Sequence, residues 1–492
     1  MLSALSRQTH PDSHDWKSDW RLWLPLGALA WALAWLFRDP FITDWDSFDY
    51  AACIVAGTPS PLGLGRAWFL GYNRALWLAA QNWFGLKAED AYLVIKYGVI
   101  AQSGVAIIGL YALYRELTAR RDATLLAVLM VSLSPHFIVY SGRGMSEIPG
   151  IAAWSWSLWW MLRSLRAHCA TQYLIAAALF GLSANMREFA VLYLPLIPLA
   201  GWLSGMRWKT SLAALMIAWV TTLAGPIFWL WLWPEYYLPA LRTWYGLSAQ
   251  ERLEHPVTMR NLWLLIGYAF ICSPAATLIT PATLRHAFAK KIGSDQRARL
   301  LLLLAGCGLL SVIAQAANHD LALNPRYLLI GLLGLAPWCG WRLAQWRNKR
   351  ILIALAALTL VSLVGMQIFL ERYQWPMTYA ARDYVMKIST LPDRAVFIVG
   401  KRTPLVNYYR RIGAHPDWQT IAFGSGWPDD KLGAVIDAYL KEGRPVFVDF
   451  DETIWTEGMR AHSREAAGLE MIRRTYKREL VRDSLCRLIE KK

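Results

Sequence analysis

The stretch Leu22–Ala52, LWLPLGALAWALAWLFRDPFITDWDSFDYAA, decides how the chain must be read. Residues 22–37 carry no charge, whereas Asp44, Asp46 and Asp49 fall within six residues shortly afterwards. Lipid followed by water accommodates both halves. A helix needs roughly 20 predominantly apolar residues to cross a bilayer core of about 30 Å. In lipid its backbone polar groups must be satisfied within the helix itself.

The apolar half of this pattern recurs along the chain. Of 492 residues, 56% are hydrophobic and 17% charged, too apolar for an ordinary soluble domain. Runs with little or no charge occupy 22–37, 97–114, 123–142, 148–162, 169–186, 189–206, 210–234, 261–284, 300–318, 327–341 and 351–370. The expected fold is a multi-spanning α-helical membrane protein with about eleven transmembrane helices, the shorter runs being borderline. Trp154, Trp156, Trp159 and Trp160, and Trp229, Trp231 and Trp233, cluster near run ends as interfacial anchors do.

Basic residues set the expected orientation. Arg115, Arg120 and Arg121; Arg163 and Arg166; Arg207 and Lys209; Arg285, Lys290, Lys291, Arg297 and Arg299; and Arg342, Arg347, Lys349 and Arg350 fall in alternate loops. The positive-inside rule assigns these loops and the amino-terminal tail, residues 1–21, to the cytoplasm. Residues 22–370 then form the membrane domain, and residues 371–492 lie outside. The net charge of +16 is mostly this loop bias and gives no reason to propose nucleic acid as a partner. No cleavable signal peptide is expected, because the first apolar run follows about twenty polar residues and lacks an A-x-A-like site. Of the six cysteines, only Cys53 and Cys486 are expected outside, where a bond between them is conceivable.

The first outer loop, roughly 38–90, is long. Residues 46–56 read as a helix, and 75–86 as an interfacial helix too short to span. Between them GTPSPLGLGR breaks any helix with Pro59, Pro61 and its glycines. No internal repeat is evident. Beyond residue 371 the composition becomes that of a soluble α/β domain of about 120 residues. RAVFIVG (394–400) and RPVFVDF (444–450) read as buried strands, and 403–411, 429–442 and 461–474 as helices.

Charged residues accumulate where the topology places the outer membrane edge: Asp44, Asp46 and Asp49; Arg143 and Glu147; Arg187 and Glu188; Glu235; and His319, Asp320 and Arg326. Ionisable groups beside apolar spans are costly unless paired or facing water, and are functional candidates by default. Acids together with Arg and His suit an anionic lipid-linked group and a proton-accepting carboxylate.

The order of first span, acidic outer loop, many further spans and outer α/β tail resembles the GT-C glycosyltransferase superfamily. Its protein O-mannosyltransferase and aminoarabinose-transferase-like members come closest. The family's Asp-Glu-x-x-Tyr-Ala pattern is matched by Asp46-Ser47-Phe48-Asp49-Tyr50-Ala51, with Ser in place of Glu. RGMSEIP (143–149), NMREFAVLYLPL (185–196) and NPRYLL (324–329) resemble recurrent family turns in the right order. The resemblance covers about residues 20–370. It implies sugar transfer from a polyprenyl-phosphate or polyprenyl-diphosphate carrier to a glycan, lipid or protein acceptor on the outer face, in what is expected to be a bacterial plasma (inner) membrane. Asp46 would act as general base on an acceptor hydroxyl, with Asp44 as the alternative. Tyr50, Arg66, Arg143, Glu147, Arg187, Glu188, His319, Arg326 and Tyr327 would contact substrate, Arg or His holding the carrier phosphate as it gains charge on leaving. Arg suits that task through its planar donor fork.

Plainer roles compete with these. Asp46 could be a helix N-cap, with Asp49 favouring the helix dipole. Arg143 and Glu147, four apart, could form an ordinary helical ion pair. Arg187 and Glu188 could cap a tight hairpin, and His319 could be a plain interfacial histidine. No cofactor is firmly implied, although Asp44 and Asp46 could bind a divalent cation. Asp449-Phe450-Asp451-Glu452-Thr453 matches the DxDxT signature of haloacid-dehalogenase-type phosphatases, but only 39 residues follow it, too few for that fold. It reads as a strand end with a capped turn. A transporter or flippase for a lipid-linked sugar, or a ligase joining whole glycans, is the alternative function. A transporter would place polar groups at mid-membrane and often show inverted repeats, whereas these spans are nearly charge-free.

Overall fold

The structure, a computed structural model, describes residues 16–42, 45–60, 62–254, 259–289, 295–318, 325–346, 348–399, 403–422, 429–450 and 463–491. The chain begins with α1 (Trp20–Leu36), α2 (Trp45–Ala56), α3 (Ala67–Phe84) and the long α4 (Ala91–Thr118). Next come α5 (Arg121–Ser132), α6 (Pro135–Ser141), α7 (Glu147–Arg166), α8 (Ala170–Ser183), α9 (Leu196–Leu203) and α10 (Trp208–Leu232). The helical series continues with α11 (Pro234–Glu254), α12 (Met259–Cys272), α13 (Pro274–Ala289), α14 (Gln296–Asn318), α15 (Tyr327–Trp346), α16 (Lys349–Phe369) and α17 (Trp375–Ile388). Two compact units result. One comprises Met1–Arg38, Pro59–Gly71 and Tyr97–Gln367; the other comprises Asp39–Thr58, Tyr72–Lys96 and Ile368–Lys492.

The protein is a mostly helical integral membrane protein, but its spans are less uniform than the apolar runs suggest. Among the described residues five helices are long and apolar enough to cross a membrane, or seven spans if two bent pairs each count as one. These pairs are α5 with α6, bent by 61°, and Trp263–Cys272 with Pro274–Ala282, bent by 117°. Proline explains both breaks. Pro135 and Pro274 open the second helix of each pair, and a proline neither donates a backbone hydrogen bond nor lets the preceding residue stay helical. Ser134 is accordingly extended, at φ −66° and ψ 126°. Other runs of the expected eleven form shorter helices, such as the 17-residue α1 and the 14-residue α8.

Within the first unit, several polar groups inside the bundle are paired. Pro337 lies within α15 and cannot donate to the carbonyl four residues back, that of Leu333. The Tyr114 hydroxyl, from α4, donates to that oxygen at 2.8 Å. Tyr193 donates to the Ile330 carbonyl one turn earlier, at 2.6 Å. Close packing accompanies these bonds: a Cβ on Gly334 would lie 2.5 Å from the Leu304 carbonyl of α14. At the start of α1, the Asp19 side chain is fully buried and accepts from Tyr111 (3.2 Å) and Arg115 (3.0 Å). Arg121 adds an ion pair at 2.6 Å. Asp19 therefore ties the start of α1 to the end of α4 and the start of α5.

The second unit contains the soluble domain: β1 (Val396–Val399), α18 (Thr403–Arg411), β2 (Gln419–Ala422), α19 (Asp429–Lys441), β3 (Val446–Asp449), α20 (Ser463–Thr475), β4 (Tyr476–Arg482) and β5 (Leu485–Lys491). The sheet order is β2-β1-β3-β5-β4, with β1 parallel to β2 and β3, and β5 antiparallel to β3 and β4. The two β-branched, aromatic runs become the central strands β1 and β3. Val396, Ile398, Val446 and Val448 pack there with Ile436, Ile472 and Leu488. The β4–β5 hairpin was not evident in the sequence, because its strands are charged and β4 is exposed after Tyr476. Asp483 allows the turn by taking a left-handed φ of +49°. Asp449 ends β3 and accepts a hydrogen bond from the Ser484 hydroxyl. Residues 451–453 of the DxDxT match lie outside the described residues. All six cysteines are free thiols, so the conceivable Cys53–Cys486 bond is not formed.

Tyr114→Phe should leave the Leu333 carbonyl without its donor. An unsatisfied buried polar group costs about 1–3 kcal/mol, so thermal unfolding in detergent should shift down by several degrees. A Pro337→Ala/Tyr114→Phe pair should recover most of the loss, since residue 337 could then donate to Leu333.

Candidate functional site

In the first unit, the turn after α8 carries two adjacent charged residues with different partners. Arg187 is extended, at φ −154° and ψ 129°, and the 3-10 turn Glu188–Tyr193 begins directly after it. Glu188 Oε1 accepts from the backbone N–H of Leu64 and from Arg66 Nε, both at 3.1 Å. The helix-breaking stretch between α2 and α3 therefore closes over Glu188. Gly63 (φ +56°) and Gly65 (φ +80°) adopt left-handed backbone, and Arg66 does so at φ +44°. A Cβ on Gly63 would overlap the Glu188 carboxylate, and one on Gly65 would strike Trp229 and Tyr237. Trp229 Nε1 donates to the Gly65 carbonyl at 3.0 Å. Burial is the largest single influence and would raise the Glu188 pKa, but the Arg66 and Arg187 guanidiniums and the hydrogen bonds to the carboxylate together outweigh it and hold the carboxyl below its usual range.

Arg187 Nη2 lies 2.9 Å from Glu147 Oε1, and Nη1 donates to the Ser146 hydroxyl at 3.2 Å. Arg326 approaches the same Glu147 oxygen at 3.5 Å, with its guanidinium 5.5 Å from the Tyr327 ring centroid. Arg66, Arg187 and Arg326 are thus set around Glu147 and Glu188. They arrive from the loop between α2 and α3, the turn after α8 and the start of α15. The i,i+4 ion-pair role for Arg143 and Glu147 does not hold, because α7 begins at Glu147 and leaves Arg143 in the preceding turn. Arg143 is buried and lies 4.9 Å from the Tyr140 ring centroid. Glu235, in the first turn of α11, is exposed.

In the second unit, α2 starts at Trp45, so Asp46 occupies the first helical turn and is not the N-cap. A carboxylate there is favoured by the helix dipole. Asp46 is partly exposed, Tyr50 is fully buried, and Asp49 accepts from Arg411 Nη1 of α18 at 2.6 Å. The second Arg411 nitrogen, Nη2, donates to Cys53 Sγ at 3.3 Å. At the far end of α2, Arg74 Nη1 donates to the carbonyls of Ile54 (2.7 Å) and Val55 (3.1 Å), which have no intrahelical partner. Asp44, His319 and Asp320 lie outside the described residues.

The sequence reading missed Arg74, Lys96 and Arg411. Lys96 is buried, donates to the Asp39 carbonyl at 3.0 Å and lies 5.2 Å from the Tyr92 ring centroid. A lone lysine beside the 97–114 run was an available signal for it. Arg411 had none, since its role depends on a partner 362 residues away.

Comparison with known proteins follows from this geometry. Residues 83–233 match the family described as dolichyl-phosphate-mannose-protein mannosyltransferase. The chain is similar to ArnT from Cupriavidus metallidurans bound to undecaprenyl phosphate, with a TM-score of 0.58 and 12% identity, over 95% of this chain and 97% of that one. It is also similar to the archaeal oligosaccharyltransferase AglB from Archaeoglobus fulgidus in complex with an inhibitory peptide and a dolichol-phosphate. There the TM-score is 0.54 at 12% identity, over 93% of this chain and 72% of that one. The Archaeoglobus fulgidus oligosaccharyltransferase in complex with Zn and sulfate matches with a TM-score of 0.53 at 12% identity, over 93% and 71%. No curated protein matches the chain in sequence. The chain has the fold of the GT-C membrane glycosyltransferases, the class that its loops and spans resemble.

Glu188→Ala should leave Arg66 buried against no carboxylate at that position. Removing one partner of a buried ion pair costs about 3–5 kcal/mol, measurable as a loss of thermal stability in detergent. Glu188→Gln keeps an acceptor for Leu64 and should cost less. The pair's contribution should be complete above about pH 4.3, the unfolded value for Glu. It should be lost as pH falls through the lowered folded value.

Proposed function

We propose that this protein is a glycosyltransferase that moves a sugar from a polyprenyl-phosphate or polyprenyl-diphosphate carrier to an acceptor on the outer face of a bacterial plasma (inner) membrane. The observation that carries this reading is the convergence of Arg66, Arg187 and Arg326 from three separate turns at one buried place. Buried guanidiniums are costly unless paired, and their rigid donor fork matches the oxygens of a carboxylate or a phosphate. The ArnT neighbour bound to undecaprenyl phosphate and the AglB neighbour bound to dolichol-phosphate support a lipid-linked donor, and the AglB peptide supports an acceptor site. The orientation rests on the basic loops, with the amino terminus cytoplasmic and residues 371–492 extracytoplasmic.

In this mechanism Asp46 takes the proton of the acceptor hydroxyl as its oxygen bonds to the anomeric carbon. The bond from that carbon to the carrier phosphate breaks, and the carrier leaves with one more negative charge. Arg187 and Arg326 stabilise that charge, with Arg143 beside the same turn. Glu147 and Glu188 hold the guanidiniums in place before substrate arrives, so little reorganisation remains for the reaction itself. Tyr50 follows Asp46 by one turn of α2, and Tyr327 follows Arg326 directly.

The Zn and sulfate in one AglB neighbour raise the question of a divalent cation. Among the described residues no group of three or more His, Cys, Asp or Glu side chains is set to hold a metal. A cation would draw on Asp46 and on Asp44, and the steps above are written without one.

The test is a reconstituted assay with a panel of radiolabelled polyprenyl-phosphate sugars. Asp46→Asn should lower kcat by about 10²-fold or more, with carrier KM little altered, as expected for loss of a general base. Arg326→Lys should mainly raise carrier KM, because Lys keeps the charge but loses the fork. If Asp44→Asn is inactive while Asp46→Asn turns over normally, the two acids exchange roles. If neither matters, the acids are structural and the transferase mechanism is wrong.

A further inference from the structure

The tail bears on α2, the helix that carries Asp46. This helix has 12 residues, a length at which an isolated helix is marginal in water. It ends at Gly57, whose φ of +72° stops it. Its position must therefore come from tertiary contacts, and those within its own unit include three that bear on its orientation. Arg74 binds the carbonyls at its carboxyl end. The Phe48 ring packs on Tyr408 of α18, centroids 5.6 Å apart. Arg411, three residues further along α18, reaches Asp49 and Cys53 with two different nitrogens, which fixes the plane of its guanidinium.

We propose that Arg411 is a positioning residue for Asp46, acting through Asp49; this rests on Asp46 being the general base. Asp46 and Asp49 are three residues apart on one helix, so their Cβ atoms are neighbours at about 5–6 Å. Holding Asp49 therefore sets the rotation of α2 about its axis, and that rotation aims Asp46. The contact is well placed to do this, because the Asp49 side chain is only 14% exposed and Arg411 31%. The docking of α18 does not depend on Arg411. The Tyr408 hydroxyl bonds to the carbonyls of Glu89 (3.1 Å) and Ala88 (3.3 Å), anchoring the helix separately. Aim and attachment can therefore be tested apart.

The experiment uses the full-length protein in liposomes with the polyprenyl-phosphate sugar that supports transfer. Arg411→Gln should lower kcat by about tenfold or more with carrier KM unchanged, since small misplacements of a catalytic group can cost up to about 10²-fold. Arg411→Lys, which keeps a cation against Asp49, should recover part of the loss. Asp49→Asn should resemble Arg411→Gln, and the double variant should be no worse than either single one. Tyr408→Phe should lower thermal stability while leaving kcat within about twofold. Additive losses in the double variant, a matching kcat loss in Tyr408→Phe, or normal kcat in Arg411→Gln would overturn the inference. If Asp46→Asn is inactive and Arg411→Gln is normal, only this inference fails. If Asp46→Asn turns over normally, the base assignment fails and takes this inference with it.

Discussion

The ion pair between Arg187 and Glu147 is the constraint around which the membrane unit's functional end is arranged. Both side chains are nearly fully buried, and neither charge could be left there without the other. Glu147 can meet Arg187 only because α7 starts at that residue, which in turn sets the turn containing Arg143 and Ser146. Arg326 joins the same oxygen and so fixes the entry to α15. Glu188, adjacent to Arg187, is then directed at the loop between α2 and α3, where it accepts from Leu64 and Arg66. Four turns distant in sequence take their conformations from a few charges that must be compensated.

The same rule applies to uncharged groups in the bundle. Proline in a membrane helix frees a carbonyl that lipid cannot satisfy. At Pro337 the Tyr114 hydroxyl supplies the missing donor, so α15 continues to Trp346. At Pro135 and Pro274 the chain bends by 61° and 117° instead. Asp19 shows the charged version of the rule, gathering Arg115, Arg121 and Tyr111 where three helices end or begin.

The class of fold was legible because charge is rare in this chain. Against long apolar runs, Arg66, Glu147, Arg187, Glu188 and Arg326 stand out, and the structure brings them together in one unit. Their partners were not legible. The Arg66–Glu188 pair spans 122 residues and exists only after the helices have packed. Arg143 and Glu147 looked like a helical pair because spacing cannot tell where a helix begins. How a run breaks into helices was not legible for a related reason, since an apolar run does not show whether its proline will be tolerated or will bend the chain. The two central strands declared themselves through Val, Ile and Phe. The β4–β5 hairpin did not, since its exposed residues are chosen for solvent and its register comes from pairing with β3.

Asp46 and Asp49 illustrate how local surroundings can suit similar residues to different tasks. A general base must present an oxygen to an incoming proton. Asp49 Oδ1 already accepts from Arg411 at 2.6 Å, which commits that oxygen to holding the helix. Asp46, one turn earlier, is partly exposed at the positive end of the helix dipole, a place suited to an ionised carboxylate. Under the proposed mechanism the neighbouring acid is a handle rather than a catalyst, and the pattern Asp46-Ser47-Phe48-Asp49-Tyr50-Ala51 then has a physical reading. Asp46 supplies the charge, Phe48 and Asp49 supply the grip on the tail, and the buried Tyr50 and Ala51 supply the packing that keeps the helix seated. Under the proposed mechanism Ser47 need not carry a second charge, because Asp49, two residues further on, already accepts from Arg411.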